Sequence, residues 1–241
     1  MGWEGELQRG ADDPIRTKGL VRPRPSPKVP RDCGSNWNSG MVGNLSDVDV
    51  IERETVYQGY LKIHRYRLRH RLFAGGWSGE MVREVMERAH AVAVLPYDPE
   101  QDTVVLVEQF RPGLFDDGHQ PWSIECVAGL IDDGESLEEV ARRETKEEAG
   151  LDTLDLHQIH GMYASPGVFS EHVSIFLAHV DATNADGIHG LDHEHEDIRV
   201  FACPLDEALE MLNQGRITVS HTIVSLQWLA LHRDDLRARW T

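Results

Sequence analysis

The stretch from Gly129 to Leu151, GLIDDGESLEEVARRETKEEAGL, decides the reading of this chain. Between Leu137 and Ala149 the apolar residues Leu137, Val140 and Ala141 recur at helical spacing with no glycine or proline among them, which predicts a helix stopping at Gly150. Glu138, Glu139, Glu144, Glu147 and Glu148 ride on it. Residues three or four apart share a helix face, so Glu144 and Glu148 point the same way with Glu147 beside them. Like charges so placed repel by about a few tenths of a kcal/mol per pair unless a cation lies between them. Oxygen-only ligands suit magnesium or manganese better than zinc. As a charge pattern alone, the same glutamates read first as a solvated acidic face.

Around this segment the 241-residue chain, 40% hydrophobic and 27% charged, has the material for one catalytic domain with an appendage. Against 24 basic residues stand 41 acidic ones, a formal net charge of -17. Such a balance repels a polyphosphate unless metal or a local arginine cluster intervenes, and it argues against nonspecific nucleic-acid binding. Cys33, Cys126 and Cys203 lie far apart without CxxC spacing, so neither a zinc site nor a disulfide framework is expected. With no signal-like apolar run at the start and no stretch long enough to span a bilayer, a cytoplasmic, membrane-free protein is expected.

Residues 1–43 are rich in Pro, Gly, Arg and Ser, as in VRPRPSPKVPRD, and read as a disordered tail. From Val48 to Phe73, short alternating runs rich in Tyr, Val, Ile and Arg predict strands, and Gly75-Gly76 a turn, giving a small N-terminal β unit over roughly 44–88. In the remainder, 89–241, AVAVL reads as a buried strand with TVVLVEQF as its hairpin partner after the Asp98-Pro99 turn, and VSIFLAHV as a further strand. A second helix is expected from Leu205 to Asn213 and a third from about Thr222 to His232, with Ile223, Leu226 and Leu229 on one face. Between them DATNADGIHGLDHEHEDI reads as a long polar loop, of the kind that tends to carry function.

The spacing of Gly129, Glu135, Arg143, Glu144, Glu147, Glu148, Gly150 and Leu151 resembles the Nudix box. Thr145 is the one departure, at a position usually aliphatic that packs the helix. The resemblance implies an α/β fold, the Nudix α/β/α sandwich with a mixed sheet, here extended by the N-terminal β unit. It implies metals around a diphosphate, held by Glu144 and Glu148, with Glu147 either a ligand in some metal states or a supporting catalytic residue. Glu135 and Arg143 become a supporting ion pair.

Beyond the box, residues 48 to 240 resemble the bacterial ADP-ribose pyrophosphatase family. Pro166, fifteen residues past Leu151 in SPG, falls where that family places a proline. In the lead-in IECVAG the resemblance makes the Ala128 carbonyl a metal ligand. In the loop GIHGLDHEHEDIRV it makes Glu194 the catalytic base and Glu196 a further ligand. His189, His193 and His195 leave a transition-metal site open as a competing reading of that loop. The resemblance assigns the diphosphate to Arg111, in EQFRPG, whose side chain offers the bidentate fork that lysine lacks. Tyr60, Arg83, Glu84 and Arg88 are implied to hold the adenine end across a swapped homodimer. Leu130, Ser165, Gly167 and Glu171 are implied to line the ribose phosphate end. The expected activity is magnesium-dependent hydrolysis of ADP-ribose, with manganese as an alternative metal. A nucleotide-sugar or NADH pyrophosphatase and a noncatalytic ADP-ribose sensor are the competing functions.

Overall fold

The computed structural model describes residues 45–116, 118–191, 193 and 195–241. The expected tail, residues 1–43, lies outside them, as does Glu194.

Strand β4 (Ala91–Asp98) is buried along its whole length. Side chains alternate across a strand, so Ala91, Ala93, Leu95 and Tyr97 enter one apolar core while Val92 and Val94 enter a second. A continuous apolar run such as AVAVL marks a strand covered on both faces. The sheet around it holds β5 (Thr103–Phe110), β6 (Trp122–Glu125), β7 (Val127–Leu130), β8 (Asp155–Tyr163), β9 (His172–His179), β10 (Asp186–His189) and β11 (Ile198–Pro204). Its order is β10-β11-β5-β4-β9-β8, with β6 added on β5 and β7 on β4. Strands β4 and β9 run parallel, from Ala91↔Val173 to Tyr97↔His179, whereas β4 and β7 are antiparallel, so the sheet is mixed.

A short helix, α1 (Pro112–Asp116), follows β5. Helix α2 (Leu137–Ala149) lays Val140, Ala141 and Ala149 on Val92, Val94, Val105 and Val107. On the opposite face α3 (Leu205–Asn213) and α4 (Ser220–Trp240) bring Leu205, Met211, Leu226 and Leu229 against Leu95, Leu106, Ile175 and Leu177. The result is the expected α/β/α sandwich, with each fully buried Leu or Val side chain contributing about 1.5–3 kcal/mol.

Helix α2 starts at Ser136 with a capping box: Glu139 N–H donates to Ser136 Oγ at 3.3 Å and Ser136 N–H to Glu139 Oε2 at 2.8 Å. It ends at Gly150, whose φ of 70° is left-handed, as a terminating glycine allows. Thr145 is fully buried and its Oγ1 donates to the Ala141 carbonyl at 2.7 Å, which satisfies the one hydroxyl at an otherwise aliphatic position.

Two expectations need extending. Helix α4 runs well past His232, because Arg233 Nε reaches Asp102 Oδ1 at 2.9 Å and Trp240 Nε1 reaches Asp155 Oδ2 at 2.8 Å. The polar loop contains strand β10, an edge strand whose pairing with β11 needs no buried apolar pattern.

Strands β1 (Val48–Gln58), β2 (Lys62–His70) and β3 (Met81–Glu87) form a separate antiparallel sheet in that order. Most of its residues are exposed on both faces. Cross-strand ion pairs run along it: Arg65–Glu84 at 2.8 Å, Arg69–Asp49 at 2.8 Å, and Arg67 with both Glu52 and Glu80 at 3.2 Å. It joins the larger body at Met86, whose N–H donates to the Val168 carbonyl at 2.8 Å and whose carbonyl accepts from Ser170 N–H at 3.1 Å.

Candidate active site

A cavity of about 620 Å³ opens between the end of α2, the β7 strand, the start of α4 and the loop before β11. Its acidic wall comes from α2. Glu144, Glu147 and Glu148 all line it, and Glu196 joins them from the loop. Gly129 makes this approach possible, since a Cβ there would overlap the Glu144 carboxylate.

Each carboxylate is held by a protein donor. Arg143 is the hub: Nε and Nη2 each reach Glu135 at 2.9 Å, and Nη1 reaches Glu144 at 2.7 Å and Glu147 at 3.1 Å. The hydrogen bonds that Arg143 donates to Glu135 outweigh burial and raise its pKa. Ala128 N–H donates to Glu148 Oε2 at 3.0 Å, and Leu191 N–H to Glu196 Oε2 at 3.1 Å. Glu148 is 3% exposed, and burial, reinforced by the charges of Glu144 and Glu196, pushes its carboxyl up to about 8. Burial also raises Glu144, against the pull of Arg143.

Among the described residues no three His, Cys, Asp or Glu side chains stand in the mutual positions of a preformed metal cage. The donor set nonetheless fits a hard cation. It is all oxygen, and it crowds like charges into a site where burial already opposes ionisation. Of the three loop histidines, His189 sits with its ring against Gly150 and its Nε2 3.0 Å from the Asp186 carbonyl.

Two arginines, each paired with a glutamate, also line the cavity. Arg111 lines it with Nε and Nη2 on Glu125 at 2.9 and 2.8 Å. Burial works against the guanidinium charge, and Glu125 outweighs it, so the Arg111 pKa is raised. Arg88 Nε stands 3.4 Å from Glu171 Oε1, an ion pair without a hydrogen bond, and burial raises the Glu171 pKa.

Of the residues expected from sequence, the cavity gathers Tyr60, Arg88, Arg111, Ala128 and Leu130 together with Glu144, Glu147, Glu148, Glu171 and Glu196. Tyr60, 87% exposed in the turn between β1 and β2, reaches the cavity of its own chain. Arg83, Glu84, Ser165 and Gly167 are not part of this wall. Arg83 Nη1 turns to the Val82 carbonyl at 2.7 Å, and Glu84 takes Arg65. Sequence reasoning missed Glu125 and His221. A glutamate inside the apolar lead-in IECVAG is the signal for the first, because a buried carboxylate needs a cationic partner. His221 lies in the first turn of α4, burial lowers its pKa, and its buried Nε2 has no hydrogen-bond partner among the described residues.

Comparison with known proteins places this geometry. The NUDIX domain model matches residues 87–223. An ADP-ribose pyrophosphatase of Escherichia coli strain K12 is 47% identical over 195 residues, 81% of this chain and 93% of that protein. A GDP-mannose pyrophosphatase of Pectobacterium atrosepticum is 33% identical over 183 residues, 76% of this chain and 93% of that protein. The crystal structure of an ADP compounds hydrolase covers 78% of this chain and 97% of its own with a TM-score of 0.61; at 24% identity it speaks for the fold alone. With the carboxylate helix in its cavity and these matches over most of its length, the chain belongs to the Nudix family and is a Nudix hydrolase.

Proposed function

We propose that this hydrolase cuts the pyrophosphate of ADP-ribose, releasing AMP and ribose 5-phosphate. The observation that carries the reading is one cavity lined by Glu144, Glu147, Glu148 and Glu196 together with Arg111, in a chain 47% identical to a protein named for that substrate. Water attacks one phosphorus, the bridging P–O bond breaks, and the departing phosphate keeps that oxygen. Arg111 grips the diphosphate. Tyr60 stacks on the adenine with Arg88 beside it, Arg83 and Glu84, which lie off this cavity, serve the adenine end of a second copy's site, and Leu130, Ser165, Gly167 and Glu171 receive the ribose phosphate end. Glu194 accepts the proton of the attacking water, with Glu147 supporting.

Glu144, Glu148, Glu196 and the Ala128 carbonyl would hold divalent metal, magnesium first and manganese second. Bound there, the metal would neutralise diphosphate charge and make the attacking water more acidic. Residues 89–241 form the hydrolase domain in this reading, and 44–88 a unit that dimerises by exchange with a second copy and adds substrate contacts. A second reading, a nucleotide-sugar pyrophosphatase, is favoured by the GDP-mannose pyrophosphatase relative. No helix among the described residues is long and apolar enough to cross a membrane.

The test is AMP release by purified protein with magnesium, from ADP-ribose, GDP-mannose (as GMP) and NADH in parallel. ADP-ribose should give the highest kcat/KM, and Glu148→Gln should lower it by about 100-fold or more, as expected when a metal-holding group is lost. Equal turnover of all three would overturn the preference. No turnover of any would overturn the activity.

A further inference from the structure

Strand β6 closes on Glu125, which is 1% exposed. A carboxylate at that depth is unfavourable unless a cation meets it with good geometry. Arg111 does so in the two-pronged manner, Nε on Oε1 at 2.9 Å and Nη2 on Oε2 at 2.8 Å. A planar guanidinium held at two points on one edge cannot swing about its last bonds. Its backbone is tied as well: β5 and β6 stay paired to Phe110↔Trp122, and Arg111 N–H donates to the Pro121 carbonyl at 2.7 Å. The remaining nitrogen, Nη1, makes no hydrogen bond among the described residues, and the side chain is 41% exposed on the cavity wall.

We propose that Glu125 is a positioning residue for the reaction, holding Arg111 so that Nη1 is presented to the diphosphate before the substrate arrives. This rests on the assignment of Arg111 to the diphosphate. Two consequences separate a held arginine from a free one. The substrate does not have to order a long side chain on binding, which preserves affinity. The pair also carries no net charge, so Arg111 acts as a directed donor and does not collapse onto the carboxylates of α2 across the cavity. Arg143 shows that alternative fate, since it is spent on Glu144 and Glu147.

The experiment is a double-mutant cycle in ADP-ribose hydrolysis with magnesium, reading KM and kcat separately. Glu125→Gln keeps the volume and removes the charge that fixes the fork. It should raise KM by about tenfold or more, the scale of one charge-assisted hydrogen bond, with a smaller fall in kcat. Arg111→Ala should raise KM at least as much, and Glu125→Gln added to it should cost nothing further, because there is no longer an arginine to orient. Thermal melts identify variants that fail to fold. In that case Arg111→Lys, which keeps the charge and loses the fork, takes the place of Arg111→Ala. If Arg111→Ala raises KM but Glu125→Gln leaves it at the wild-type value, or if the two effects simply add, Glu125 is not a positioning residue. If Arg111→Ala leaves KM unchanged, the diphosphate assignment fails and the proposal with it.

Discussion

At Glu148 a carboxyl group lies 3% exposed beside two other acids, with its pKa pushed up to about 8 by burial first and by Glu144 and Glu196 next. The folded value stands above the ordinary one, so protonation favours the native state. The favourable contribution is complete below the unfolded pKa of 4.5 and is lost as pH rises toward about 8. Metal-free protein should therefore lose stability relative to Glu148→Gln between these two pH values, by an amount on the order of a few kcal/mol at one pKa unit per 1.36 kcal/mol. Denaturant melts of both proteins across that range, in chelator, measure it; parallel curves would show that the site does not resist the charge. Glu144, Glu147 and Glu148 were legible in sequence because a helix converts spacing into a shared face. Glu125 was not, because its partner lies fourteen residues away, just past the end of β5, and only the β5–β6 register brings them together.

Helix α2 was predictable to both ends, since its start, its apolar stripe and its terminating glycine are all local signals. Removing one of them has a predictable cost. Ser136→Ala deletes the hydroxyl that accepts the Glu139 N–H and should destabilise the fold by about 1 kcal/mol, with a smaller effect on catalysis because Ser136 lies far from Glu148 along the helix. Urea melts and steady-state kinetics on the same preparation test both parts; a stability change near zero would mean that Glu139 or water replaces the cap. Helix α4 was only partly legible. Its middle carries Leu226 and Leu229 at helical spacing, but its last turns are held by Asp102 and Asp155, contacts that no local pattern announces. Strand β10 escaped notice for a related reason: an edge strand in a polar segment shows no apolar alternation.

Over the whole molecule, single strands and helices could be read from buried runs and amphipathic spacing and the sandwich from the resemblance to the Nudix box, whereas the order of the strands could not be read from pattern, because pairing is decided between distant segments. The three-stranded sheet leaves Val48, Val50, Tyr57 and Val82 exposed, and a sheet of that size without a core is marginal alone. If it is buried by a second copy, light scattering should return twice the 27.2 kDa chain mass, and Val82→Asp, which puts a charge on the exposed apolar surface, should shift the equilibrium toward monomer. A monomeric mass at micromolar concentration would refute the exchange. The parallel pairing of β4 with β9 has its own consequence. Ala91 meets Val173 only after β5, β6, β7, α2 and β8 have been laid down between them. Such long-range parallel contacts form slowly, because a large loop must close before they are rewarded. Glu196 follows β9 in sequence and lines the same cavity as Glu144 and Glu148, so a chain emerging from the ribosome lacks its full set of carboxylates until that strand and the loop after it have been made.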